Sequence, residues 1–220
     1  MAINAAPADV REGLVGQVQV NVPEQSLPAK LALNPEFPMN DERYYAFCMA
    51  NPDLRIERTA QGEINIVPPA GGESDYQCLQ TGTQLNVWAK RDGRGKAFGS
   101  SAEFLLSTGA ALSPDAAWVS NQRLGQLSRE QRRKFLPICP EFVIELMSPS
   151  DRLPTAQQKM EEWIGAGVEL AWLIQPDEKT ILIYRAGRSD AETRTGILTV
   201  AGEGPVAGFE LELAEIWAGL

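Results

Sequence analysis

The chain contains no histidine at all. That excludes serine–histidine and cysteine–histidine nucleophilic systems, and metal sites built on imidazole. Three cysteines, Cys48, Cys78 and Cys139, are too widely spaced and odd in number for a disulfide frame or a thiolate zinc site. They read as reduced, partly buried thiols of a cytoplasmic protein. No apolar run approaches the ~20 residues of a membrane-spanning helix. The opening MAINAAPADVREGL lacks the basic-then-apolar pattern of a secretory signal, so neither membrane nor export is expected. Positive charge is also scarce: 20 Lys and Arg stand against 29 Asp and Glu, a net charge of -9. An acidic chain is a poor default ligand for nucleic acid, because phosphate contacts dominate that affinity. Acid–base or metal chemistry must therefore use carboxylates, Lys, Tyr or Cys. A carboxylate-only metal site favours a hard cation such as Mg or Mn.

What is present is an ordinary globular composition, 44% hydrophobic and 22% charged over 220 residues, enough for a real core. Residues 1–39 carry Pro23, Pro28, Pro35 and Pro38 and read as an extended arm, with one edge strand in the alternating stretch from Val15 to Val22. Residues 40–220 read as one α/β (α+β) domain with a mixed sheet flanked by helices. Asn40 caps a helix over 41–49. Leu54 to Arg58 and Glu63 to Val67 alternate with period two about a Gly62 turn, a hairpin. A helix over 74–89 follows, with Leu79, Gly82 and Leu85 spaced for one buried face. Glu73 stands at its N-terminus, where partnership with the helix dipole is explanation enough. Lys90 to Lys96 form a basic, glycine-rich turn. Strands are expected over 97–100 and 102–107, and from Asp115 to Val119. Residues 120–136 are polar and helical in two pieces, with a capping box at Ser128 to Gln131. Two strands, 170–174 and 181–185, make a second, buried hairpin. A last strand spans 209–213, and a short helix ends the chain.

The stretch that organises all this runs from Cys139 to Gly167. Phe142 to Met147 is a strand with five apolar residues of six and no alternation, which is the pattern of a strand covered on both sides. Glu145 sits inside it, and an isolated buried carboxylate is very costly. The following helix carries Ala156, Met160, Trp163, Ile164 and Gly167 on one face at ~100° per residue. Lys159 falls at the edge of that face beside Trp163, so its stem can lie along the core while the amine reaches the strand end. Asp115, after Pro114, opens the preceding strand. Two carboxylates and a lysine can hold a divalent cation and orient a water. The same residues also fit a purely structural buried pair with Asp115 as a turn residue.

The ordered set of segments resembles the Uma-two family of restriction endonucleases, of the PD-(D/E)XK nuclease superfamily. The matching pieces are Leu54-Arg55-Ile56-Glu57 with Gly62-Glu63-Ile64, Gly71-Gly72-Glu73, Ser113-Pro114-Asp115-Ala116, Phe142 to Asp151, Lys159-Met160, Gly167-Val168 and Ala171 to Pro176. The resemblance implies a restriction-endonuclease-like core and a Mg-dependent (or Mn-dependent) endonuclease acting on DNA; the proline-rich arm as a partner surface, and the two strands of a duplex, point to a homodimer. It implies that Asp115 is the Asp of the PD element and Glu145 the acidic residue of the (D/E)XK element. Asp115, Glu145 and the Leu146 carbonyl would be the metal ligands. Met147 stands where the motif has lysine, so Lys159 takes that role, and Glu73 is a further acidic residue of the site. Gln175 departs from the family's Asp at that position. That departure, with the acidic charge, keeps open a second class: a catalytically inactive nuclease-fold protein acting as a binding or regulatory module.

Overall fold

The computed structural model describes residues 39–220 and the backbone of residues 29–31. In chain order the elements are β1 (Ala29–Leu31), α1 (Asp41–Ala50), β2 (Arg55–Arg58), β3 (Ile64–Val67), α2 (Gly72–Asp92), β4 (Gly95–Gly99), β5 (Phe104–Leu105) and β6 (Ala111–Leu112). They continue with β7 (Ala116–Ser120), α3 (Asn121–Gly125), β8 (Phe142–Leu146), α4 (Leu153–Ala166), β9 (Leu170–Gln175), β10 (Thr180–Arg185), β11 (Glu192–Thr195), β12 (Thr199–Ala201), β13 (Glu210–Glu212) and α5 (Ala214–Ala218). The expected strand between Val15 and Val22 lies outside the described residues. Ala29–Leu31 pairs antiparallel with β3 as an edge strand. Among the described residues no helix is long and apolar enough to cross a membrane.

Local chemistry accounts for the helix ends. The Asn40 side chain accepts from Arg43 N at 2.9 Å and starts α1. The capping box forms reciprocally: Ser128 N donates to Gln131 Oε1 at 2.8 Å and Gln131 N to Ser128 Oγ at 3.1 Å. The segment it caps is only a 3-10 turn, Gln131–Arg133. Gly167 ends α4 at φ 110°, a conformation that costs glycine nothing.

The central sheet has six strands in the order β11-β10-β9-β8-β7-β4. Only β8 and β9 run parallel, joined by α4, and their neighbours are antiparallel. Strand alternation divides its residues between two clusters. Ala116, Trp118, Phe142, Ile144, Leu170, Trp172 and Ile174 pack with Leu85 of α2, Phe209, and Ile216 of α5. Ala117, Val119, Val143, Ala171 and Leu173 pack with Met160 and Trp163 of α4 and with Phe104 and Leu112. β8 is thus buried on both faces, as its apolar run predicts. A second sheet, β1-β3-β2-β6-β5, carries α1 on one side, where Tyr44 and Phe47 meet Ile56, Ile64 and Ile66. Strand β4 lies close on β7: a Cβ at Gly95 would collide with the Trp118 ring and Val119 O.

Two expectations are corrected. The buried residues of α2 are Gln77, Thr81, Leu85 and Ala89, whereas Leu79 is 63% exposed. The polar members of that face are satisfied in place, Gln77 Nε2 by Ile216 O at 3.0 Å and Thr81 Oγ1 by Gln77 O at 2.9 Å, so burial costs them little. The expected strand over 102–107 narrows to β5, which pairs with the unanticipated β6 in the second sheet.

Candidate active site

Glu145 is the fourth residue of β8 and shares the α4 face with Val143. It is 8% exposed, and two residues of α4 one turn apart meet it. Trp163 Nε1 donates to its Oε1 at 2.8 Å. The Lys159 ammonium lies 3.0 Å from the same oxygen. Met147, two residues on, packs with the apolar cluster under α4. The amine missing from that strand position is supplied by the helix.

Asp115 immediately precedes β7. Ala116 pairs with Ile144 in antiparallel register, and one further step of that register sets Asp115 opposite Glu145. Asp115 Oδ2 accepts the Leu146 N–H at 2.8 Å, which ties the two strand ends together at the candidate ligands. Asp115 also hydrogen-bonds the Cys78 thiol of α2. Asp75 and Cys78 line, with Asp115, a cavity of about 400 Å³ between α2 and β4.

A fourth charged residue was not anticipated. Glu57 of β2 is buried, and its Oε1 accepts Lys159 Nζ at 3.0 Å and Ser113 N at 3.1 Å. Lys159 completes its set with Ser113 O at 3.2 Å. The ammonium is thus clamped between Glu145, Glu57 and the segment leading to Asp115. In the sequence, Glu57 is one polar position of an alternating strand and carries no mark of burial. Arg55, two residues earlier, sets Nη2 4.0 Å from Asp115 Oδ1.

The electrostatics follow from burial and crowding. Burial is the largest influence on Glu145 and raises its pKa; Lys159 pulls it down, while Asp115 and Glu57 push it up. The balance leaves it at about 7. Burial would lower the pKa of Lys159, but Glu145, Glu57 and Asp115 hold it above the ordinary range. It is therefore cationic. Burial, reinforced by Asp115, also raises the Cys78 thiol, which stays protonated. Three carboxylates against the Lys159 ammonium and the Arg55 guanidinium leave negative charge in excess, and the donors are hard oxygens. Both properties suit a divalent cation of the Mg type. Among the described residues, no group of three or more Cys, Asp or Glu side chains is arranged to hold a metal by itself. A cation here would rely on two carboxylates, main-chain oxygen and water, which is how Mg is usually held.

Glu73 lies in the first turn of α2 and is exposed. Its carboxylate abuts Gly219, where an added Cβ would strike it. No hydrogen bond or ion pair among the described residues joins it to Asp115, Glu145 or Lys159. The basic turn is also remote. Gly95 pairs with Ser120 and Gly99 with Ala116, so Lys96 and Arg94 stand at the far end of β4 from Asp115, roughly 13 Å and 20 Å away along the strand.

The fold and the site define a class: an α/β protein whose mixed sheet presents two facing carboxylates at its strand ends, with a lysine from the crossover helix. One solved structure it is similar to is described as "a putative nuclease belonging to DUF820" from Anabaena variabilis. The two share 18% identity with a TM-score of 0.61, over 74% of this chain and 89% of that one. No curated protein matches the chain. The family Uma2, described as "Putative restriction endonuclease", matches residues 41–214, and the chain belongs to it.

Proposed function

We propose that this protein is a Mg-dependent endonuclease that hydrolyses phosphodiester bonds of DNA. The observation that carries the reading is the contact of the Lys159 amine with Glu145, 3.0 Å apart, beside Asp115. It supplies from α4 the positive charge that Met147 cannot. Asp115, Glu145 and the Leu146 carbonyl would hold the cation, with Mn as a substitute. The bound cation would lower the pKa of a water and polarise the phosphate. Lys159 offsets charge developing on the phosphate. By exchanging its longest bond, to Ser113 O at 3.2 Å, it can also orient the attacking water. Trp163 keeps the Glu145 carboxylate in one orientation, and Glu57 keeps the ammonium in place. Glu73 enters this reading only as an outlying acid of α2. A homodimer would place two such centres on the two strands of a duplex.

The test is Mg-dependent nicking of supercoiled plasmid. E145Q and D115N keep hydrogen-bond acceptors at both positions and are expected to lower the rate at least ~100-fold with the unfolding temperature retained. If E145Q nicks like the unsubstituted protein, the site assignment is wrong. The second reading, an inactive nuclease-fold binding protein, draws on Gln175 at the end of β9, on the net charge of -9, and on the lack of a closed ligand cage among the described residues. It predicts no heat of Mg or Mn binding at millimolar concentration by titration calorimetry.

A further inference from the structure

Strand β2 alternates, and the alternation sorts its charges. Ile56 faces α1, with Arg58 on the same side over the Tyr44 ring at 4.7 Å. Arg55 and Glu57 face the other way, toward Asp115 and Lys159. Glu57 is fully engaged there, but Arg55 is not. Its Nε is buried with no partner among the described residues. Its Nη2 is 4.0 Å from Asp115 Oδ1, well beyond the ~2.8 Å of a charge-assisted hydrogen bond. Every other buried or half-buried arginine among the described residues is hydrogen-bonded: Arg58 to Gly109 O, Met39 O and Asp41, Arg123 to Cys139 O and Glu169, Arg185 to Glu203, and Arg194 to Glu192. A buried donor left unpaired is costly. The Arg55 side chain nevertheless keeps 36% of its surface open to solvent, so an incoming acceptor can reach it.

We propose that Arg55 is a phosphate-contact residue, whose guanidinium takes a non-bridging oxygen of a DNA phosphate seated at Asp115. The inference rests on the nuclease reading above and deepens it. The chemistry selects Arg55 over its neighbours. Lys159 has three donors: Glu145 and Glu57 hold two, and the third, on Ser113 O, is the one already given to the attacking water. Arg94 uses Nε on Asp92 and Nη2 on Ala207 O at the far end of β4. Arg55 alone offers a free planar fork beside the carboxylates, and that fork matches the two oxygens of a phosphodiester.

The experiment measures binding of a labelled DNA duplex by the full chain, by fluorescence anisotropy over a range of salt, in an E145Q background that blocks turnover. R55A is expected to weaken binding about tenfold and to reduce the slope of log K against log[salt] by ~0.9, the loss of one phosphate contact. R55K should keep the slope while binding more weakly, because the charge stays and the fork goes. R188A, on an exposed turn, should alter neither. An R55A slope equal to that of the E145Q parent overturns the inference, whatever the nuclease reading's fate. A parent that shows no salt-dependent DNA binding sinks the nuclease reading and takes this inference with it. Should R55A fail to fold, R55Q removes the charge at nearly constant shape and the slope decides in the same way.

Discussion

At the scale of single residues, the centre of this protein is one ammonium among three carboxylates. Lys159 is drawn into a mostly desolvated position and held charged there by Glu145, Glu57 and Asp115. Each carboxylate in turn tolerates burial because the ammonium is present. Removing it strands several negative charges at once, so K159M is expected to destabilise the metal-free protein by about 3–5 kcal/mol, as measured by urea unfolding. A loss below ~1 kcal/mol would mean that the cluster is solvated and the pairs are weak. Glu145 and Lys159 were legible in the sequence. A carboxylate inside an apolar strand must have a partner, and a lysine at the edge of the next helix's apolar face has the stem to reach it. Glu57 and Arg55 were not legible. Their strand alternates like any half-exposed strand, and only the packing of the second sheet on the first turns its polar face inward.

At the scale of elements, α2 shows how a helical pattern can mislead. Leu79 and Leu85 are equally apolar in the sequence, yet Leu85 is fully buried and Leu79 is 63% exposed. The interior side of the helix carries Gln77 and Thr81, whose hydrogen bonds are met by α5 and by the helix itself. L85A should therefore cost about 2–5 kcal/mol. L79A should stay within about 0.5 kcal/mol, read from the midpoint of chemical denaturation. Equal costs would reverse the assignment of the buried face. By contrast α4 was legible, because Met160 and Trp163, both fully buried, repeat at a helical spacing with no polar residue competing for their face.

At the scale of the whole molecule, two sheets share the α4-side core, and a second buried acidic point lies where they approach. Glu103 precedes β5 and accepts a hydrogen bond from the Tyr44 hydroxyl. Burial, with Glu57 adding to it, raises Glu103 to about 7, against the opposing effects of the Tyr44 hydroxyl, Arg58 and Arg55; the Cys48 thiol lies within the same field. A carboxyl raised in the folded state binds a proton that the unfolded chain releases. Its stabilising contribution is complete below about 4.5 and disappears as pH rises through about 7. E103Q keeps an acceptor for Tyr44 and does not titrate. It should flatten the loss of stability between pH 5 and pH 8 by on the order of 2 kcal/mol, followed by thermal unfolding without added metal. An unchanged pH slope would show that Glu103 titrates as an ordinary carboxyl.

The sequence by itself determined the elements whose signals are local. These are the twice-buried strand β8, the amphipathic α4, the Asn40 cap, the hairpins, and the family to which the order of motifs belongs. The absence of histidine likewise settled in advance that acid–base or metal chemistry rests on carboxylates, Lys, Tyr or Cys. The tertiary structure alone decided which carboxylates meet. Glu57 and Lys159 are 102 residues apart in the chain, and no spacing rule reaches across that distance. Tertiary structure also left Glu73 at the outer end of α2 and set Arg55 with a free fork at Asp115. The physical reason is the same in each case. Periodicity reports which side of an element is apolar, whereas the partner of a buried charge depends on how two sheets and a helix close around it.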